Sequence, residues 1–377
     1  MQRSLRFGLA ALMLAIFFGL AIVMGVVFWQ LLSSVTDEQA DSPQATATAV
    51  PPAYIWESGG YLSAVFVPDG RLAVASSYQT TILSFPDNQA LTFFPTGGYL
   101  AVSPDSSRLA VGQRGAVRIY DLASGKVRAY LVCWLPPEEW TEMWLAFSPD
   151  GRTLAVTEAN PAHGPEVQLW NVANQGQLWS VRIDDPAITV ARQLAFSPDG
   201  RYIAVTTLPE GVWLIDVAQP AVVRQIQAEP AGSIAFSPDG SRLSVGGYTI
   251  RTYDTATWEL VHEQTFPVSD APTATEPSTL TNTFRLDSMR VAISPDGQWL
   301  AAPAAYPASG ADLFVGKDPP RQPIALRRLA DGEQVYRLSG SQNRARHLMF
   351  SPDGQWLVDI GHNEIQVWPV GEEGLRS

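Results

Sequence analysis

One phrase recurs seven times along this chain: an apolar stretch, a Ser-Pro-Asp-Gly turn, and a second apolar stretch. The copies are Phe66-Val-Pro-Asp-Gly70, Val102-Ser-Pro-Asp-Ser106, Phe147-Ser-Pro-Asp-Gly151, Phe196-Ser-Pro-Asp-Gly200, Phe236-Ser-Pro-Asp-Gly240, Ile293-Ser-Pro-Asp-Gly297 and Phe350-Ser-Pro-Asp-Gly354. Their prolines are separated by 36, 45, 49, 40, 57 and 57 residues. Pro presets the backbone for the first corner of a type I turn, Asp bonds nearby amides, and Gly accepts the positive φ that follows. A chain reversal at each copy, repeated at a blade-length period, points to a ring of small sheets.

Each unit is completed in the same way. A short apolar strand follows the turn, as in Leu154-Ala-Val156, Ile203-Ala-Val205 and Leu243-Ser-Val245. A third strand is alternating or aromatic-rich: Val117 to Leu122, Val167 to Val172, Val212 to Val217, Ile250 to Asp254, Ile365 to Trp368. A fourth, more polar strand closes most units, for example Lys126 to Leu131 and Gln177 to Ile183. Middle strands apolar on both faces suit a sheet sandwiched between two others. The expected fold is therefore all-β, a seven-bladed β-propeller of four-stranded blades spanning residues 53–370, with a C-terminal tail at 371–377. The seventh unit lacks its outer strand, and the strand-like piece Ala53-Tyr-Ile-Trp-Glu-Ser58 stands unassigned before the first. It is expected to supply that missing strand and so close the ring, removing the open edge. The lone Cys133 excludes an internal disulfide or a multi-cysteine zinc site.

These units resemble WD-repeat propellers, especially their bacterial variants with a Ser-Pro-Asp-Gly turn. The family's Trp-Asp pair at the end of the third strand is matched loosely by Tyr120-Asp121, Trp170-Asn171, Ile215-Asp216 and Tyr253-Asp254, whereas Leu83-Ser84, Arg327-Arg328 and Trp368-Pro369 depart from it. The resemblance implies a propeller serving as a binding scaffold.

Ahead of the repeats, Phe7 to Trp29 is an uncharged, almost wholly apolar run of 23 residues. As a helix it would extend roughly 34 Å, enough for a bilayer core about 30 Å thick. A cleaved secretory signal has a shorter core followed directly by small residues, which here begin only near Ala45. The expected arrangement is a short cytoplasmic tail (1–6), a transmembrane signal-anchor helix (7–32) and a flexible linker (33–52). Arg3 and Arg6 before the span, and Asp37, Glu38 and Asp41 after it, set the N-terminus inside and the propeller outside the cytoplasm.

Chemistry is sparse. The formal charge of −12 makes a nucleic-acid surface a poor fit. G-x-S-x-G, H-E-x-x-H and G-x-x-x-x-G-K motifs are absent. The four histidines are widely spaced and carry no metal-ligand motif. The seven turn aspartates, from Asp69 to Asp353, are explained by turn chemistry rather than by calcium. No catalytic residue, metal or cofactor is expected.

Two groups of binding candidates remain. Long loops collected on one face carry Trp134, Glu138, Glu139, Trp140, Glu158 and Tyr306. The repeat register also sets a ring at the channel mouth, three residues before each turn's leading apolar position: Ser63, Tyr99, Trp144, Gln193, Ser233, Arg290 and His347. The next position, Ala64, Leu100, Leu145, Leu194, Ile234, Val291 and Leu348, reads as a packing ring. The function expected is a membrane-anchored, extracytoplasmic, noncatalytic module for a protein partner or small ligand. The alternatives are a channel-mouth propeller enzyme, lactonase-like, and the sensory ectodomain of a membrane complex.

Overall fold

The computed structural model describes residues 50–57, 60–133, 143–158, 165–185, 188, 190–208, 211–227, 231–247, 249–264, 290–304, 322–341, 347–361 and 364–370. The expected tail, membrane helix and nearly all of the linker lie outside the described residues.

The described strands form seven four-stranded antiparallel sheets, each built from strands consecutive in sequence except the last. The innermost strands are Ser63–Phe66, Tyr99–Val102, Met143–Phe147, Val190–Phe196, Ala231–Phe236, Ala292–Ile293 and His347–Phe350, and they define blades 1 to 7. In blade 7 the outer strand is Tyr54–Glu57, paired with Glu364–Pro369 in the register Tyr54↔Val367 to Glu57↔Glu364. The N-terminal strand therefore closes the ring, as the strand count in the repeats foretells. Just before it, Val50 exchanges backbone hydrogen bonds with blade 6, its N–H on Arg337 O and its carbonyl on Ser339 N–H, each at 2.9 Å. One short stretch thus clasps two blades.

The turns are held as their chemistry demands. In blade 3, Ser148 Oγ donates to Asp150 Oδ1 (2.6 Å), Arg152 N–H donates to the same oxygen (3.0 Å), and Thr153 N–H donates to Ser148 Oγ (3.0 Å). Blades 2, 4, 5, 6 and 7 repeat the pattern. Ser106 stands where most copies have Gly and holds φ at 58°. In blade 1, Val67 replaces the serine and Asp69 is held by Arg71 at 2.6 Å instead. Hydrogen bonds from Ser103 and Ser107 hold the Asp105 carboxyl down to about 2, and those from Ser237 and Ser241 do the same for Asp239. The turn aspartates are structural acceptors.

Second and third strands are buried on both faces, as in Leu72–Ala75 and Thr80–Leu83, while outer strands such as Val127–Val132 alternate. The core is correspondingly divided. Seven apolar clusters lie one at each blade-to-blade interface. Burying each Leu, Ile or Val there contributes roughly 1.5–3 kcal/mol before the chain entropy is set against it. Among the described residues the clusters are unequal, and the one between blades 5 and 6, around Ile250, Val291 and Leu300, is the smallest.

In six blades the pairing of third and fourth strands shifts register where the third strand's Trp-Asp position falls, for example between Ile119 and Tyr120 and between Leu326 and Arg327. The acidic or amide partner of that pair then caps the hairpin. Asp121 Oδ1 accepts from Ser124 N–H (2.8 Å), and Asn171, Asp216 and Asp254 act likewise.

Candidate channel-mouth site

The repeat register places six of the seven ring residues in the innermost strands and Arg290 two residues before one. A side chain at that position can reach two things, the neighbouring blade or the axis, and size separates the two outcomes. Short and flexible polar groups turn sideways. Ser63 Oγ accepts from Leu100 N–H (3.1 Å), Gln193 Oε1 from Ile234 N–H (3.0 Å) and Ser233 Oγ from Val291 N–H (3.0 Å). Each bond runs from one blade to the packing-ring residue of the next. These backbone amides have no ladder partner on the channel side, so a side-chain acceptor is the way to satisfy them. Ser63 and Ser233 are buried accordingly, and the packing-ring residues beside them are also buried, Ala64, Leu100, Leu194, Ile234, Val291 and Leu348 among them.

The large residues turn to the axis. Trp144 of blade 3 lies 5.8 Å from the Tyr99 ring of the adjacent blade 2 and 6.4 Å from the His347 ring of blade 7, centroid to centroid. The Arg290 guanidinium of blade 6 sits 5.4 Å over the Trp144 ring. In a ring of seven, blade 3 faces the gap between blades 6 and 7, so the indole spans the channel. Arg290 is itself anchored, with Nη1 donating to Gly232 O at 2.9 Å, and His347 Nε2 lies 3.3 Å from Leu62 O. The tilted aromatic contacts and the cation–π stack favour this arrangement electrostatically. The Trp144 indole N–H is the exception: it is buried and has no hydrogen-bond partner.

Four of the expected ring candidates, Tyr99, Trp144, Arg290 and His347, are thus brought into one cluster, and Gln193 belongs instead to the stitching between blades 4 and 5. Beside it Arg192 is also buried. Among the described residues the cluster holds cationic and aromatic groups and no carboxylate. Among the described residues no group of three His, Cys, Asp or Glu side chains is placed to hold a metal ion. Of the loop-face candidates, Trp134, Glu138, Glu139, Trp140 and Tyr306 lie outside the described residues. Glu158 ends a strand of blade 3 opposite Met143, next to Trp144, and its side chain is likewise outside the description.

Besides Arg192, two buried charged residues among the described ones are not sequence candidates. Arg327 occupies the aromatic position of the third strand in blade 6, and Asp359 the second-strand position held elsewhere by Val74, Val111, Val156, Val205, Val245 and Ala302. Superposing the repeats on the Leu or Ile that follows each turn exposes both.

No family model matches the chain. It is similar to an uncharacterized WD repeat-containing protein of Synechocystis sp., 29% identical over 140 residues, 36% of this chain and 31% of that protein. It is also similar to a centriole proteome protein of Chlamydomonas reinhardtii, 27% identical over 144 residues, 37% of this chain and 5% of that protein. The matches therefore span less than a third of the length of either relative. Together with the seven blades they make this chain a WD-repeat-like propeller, distantly homologous to WD-repeat proteins.

Proposed function

We propose that this WD-repeat-like propeller is a noncatalytic interaction module, tethered to a membrane by residues 7–32 and displayed outside the cytoplasm, that recognises a protein partner at the channel mouth. The observation that carries this reading is the clustering of Trp144 with Tyr99, Arg290 and His347 from three other blades. A channel-mouth enzyme needs an open cleft with convergent acid, base or metal-binding groups. Here the polar ring is engaged in blade-to-blade hydrogen bonds and the large residues fill the centre. What they leave at the mouth is a Trp, a Tyr and an Arg in contact, the residue types that dominate binding energy at protein interfaces. The tether is supported by the uncharged run Phe7 to Trp29 between Arg3, Arg6 and the acidic residues after it.

The test is affinity capture from solubilised membranes with the full chain and with Trp144→Ala. A specific co-purifying protein, retained by the wild type and lost with the variant while the thermal transition persists, is the expected result. Capture that is indifferent to Trp144, or a specific turnover by the purified protein, overturns the reading. Protease accessibility in intact cells checks the orientation: the propeller should be cleaved from the extracytoplasmic side.

A further inference from the structure

In blades 2, 3, 5 and 7 the residue facing the post-turn Leu across the second and third strands is aromatic: Tyr120, Trp170, Tyr253 and Trp368. In blade 6 the residue facing Leu300 is Arg327. The aromatic rings fill the space between blades. A guanidinium on a thin stem does not, and a cavity of about 100 Å³ lies at this place between blades 5 and 6, at the interface with the smallest apolar cluster.

Arg327 lines that cavity and is only 4% exposed. Its Nη2 donates to Gln334 Oε1 at 3.1 Å, while Nη1 is buried with no partner. The other charged groups at the cavity wall are already engaged. Glu263 is held by Arg251 at 2.7 Å, and Asp331 by Arg328 at 2.5 Å. His262 reaches across the interface to Ala330 O at 2.8 Å. Burial lowers the Arg327 guanidinium to about 10, which leaves it cationic at neutral pH. The opposite wall holds a second unpartnered atom, the buried Oε1 of Gln264. Side-chain amides are oriented by what they bond, so a half-turn of the Gln264 amide presents its NH2 to the same space.

We propose that the cavity between blades 5 and 6 is a binding site for a small oxyanion, a carboxylate or inorganic phosphate, held by Arg327 Nη1 and the side-chain amide of Gln264. A water molecule would bridge the two orphan groups but would leave the buried charge uncompensated, and an unpaired interior charge is the costlier of the two defects. An anion corrects both. The volume suits it: one water needs only ~10–15 Å³ measured in this way, so an ion of a few heavy atoms fits. The site is independent of the channel mouth and lies in a blade that the family's Trp-Asp pattern passes over.

The experiment is thermal unfolding of the purified full chain at fixed ionic strength while chloride is replaced by acetate or by phosphate. A saturable rise in Tm of about 2–4 °C, with a midpoint in the millimolar range, is expected for the wild type. Arg327→Leu, which installs the residue type that Leu83 supplies in blade 1, should fold with an unchanged or higher Tm and lose the response. Gln264→Ala should keep the response with a midpoint shifted about tenfold, the worth of one charge-assisted hydrogen bond. Should Arg327→Leu fail to fold, Gln264→Ala and Arg327→Lys still decide the matter, since both are expected to weaken the midpoint. An equal rise in wild type and variants, or a wild-type Tm that does not saturate, means solvent alone occupies the cavity and overturns the proposal.

Discussion

Blades 3 and 7 carry the same phrase in their third strands, Gln168-Leu169-Trp170 and Gln366-Val367-Trp368, and use it differently. In blade 3, Trp170 Nε1 donates to Gln168 Oε1 at 3.1 Å, and Gln168 Nε2 donates to Cys133 O of blade 2 at 2.9 Å. Every polar group of the pair is satisfied and the bond ties two blades together. In blade 7, Gln366 Nε2 turns to Glu364 Oε1 at 2.8 Å, while Gln366 Oε1 and Trp368 Nε1 are buried without partners. The cross-strand neighbour separates the two cases. Gln168 faces Val156, whereas Gln366 faces Asp359, which is 2% exposed and has an unpartnered Oδ1 of its own.

Burial, and secondarily the Glu364 carboxylate, push the Asp359 carboxyl up to about 8. The shift favours the protonated acid near neutral pH, and a protonated carboxyl can donate a hydrogen bond where a carboxylate cannot. The face of blade 6 packed against it is apolar, with Ala301, Ile324, Leu326 and Leu338, and Tyr336 at the edge of the cluster. Within blade 7, the strand register sets Glu57 opposite Glu364. A repeated local phrase therefore does not guarantee a repeated network; one residue two strands away decides it. Among the described residues, three of the unpartnered buried side-chain atoms, on Asp359, Gln366 and Trp368, lie in the blade assembled from both parts of the chain.

The largest effect should come from breaking that assembly. Deleting residues 50–57 removes the outer strand of blade 7 and the clasp on blade 6, and leaves an apolar strand edge open. The expected outcome is loss of a single cooperative unfolding transition, followed by circular dichroism. Deleting the polar, proline-containing run 36–48 should leave the transition in place.

Next comes the proton on Asp359. Its folded-state pKa lies above the unfolded value of ~4, so the folded state holds an extra proton between about pH 4 and 8. Stability is therefore lost as pH rises through this window and levels off above it. The slope approaches ~1.4 kcal/mol per pH unit for one proton. Asp359→Val, which restores the residue type of the other blades, should abolish that slope and be more stable than wild type at pH 8. The difference between the two proteins cancels other titrating groups. The turn carboxylates have the opposite sign: Asp105 and Asp239, held at about 2, favour the folded state above pH ~4 and withdraw that support as pH falls.

The smallest effect contrasts the two tryptophans directly. Trp170→Phe removes a made hydrogen bond and orphans Gln168 Oε1, at a cost of ~1–3 kcal/mol beyond the lost packing. Trp368→Phe removes a donor that has no partner, so only the packing loss remains. Urea denaturation of the pair should show the first as the more damaging substitution.

Legibility followed the range of the interactions. The Ser-Pro-Asp-Gly turns are readable because Pro, Asp and Gly act within four residues, and the strand count then placed Tyr54–Glu57 in blade 7. Ring positions were readable because the repeat fixes their register. That Trp144 would reach Arg290 and His347 was not, because it depends on which blades stand opposite and on side-chain size, neither of which is local. Arg327 was visible as a departure from the Trp-Asp pattern, but its cavity depends on the facing blade. Asp359 departs from the Val74, Val111, Val156, Val205, Val245 and Ala302 that hold its position in the other repeats, but its burial depends on the apolar face of blade 6. The loop-face residues belong to stretches that no other unit repeats, so no register positions them.

Blade 7 is built from the N-terminal strand and three C-terminal strands, His347–Phe350, Trp356–Ile360 and Glu364–Pro369, and its stability follows the Asp359 proton. Hydrogen exchange on the full chain tests it, with blade 3 in the same sample as the internal reference. Residues 54–57 and 364–369 should exchange in step, with protection relative to blade 3 greater at pH 6 than at pH 9, and with no such pH dependence in Asp359→Val. Exchange of 54–57 at free-peptide rates while 364–369 stays protected, or a ratio to blade 3 unchanged by pH in the wild type, would contradict the account.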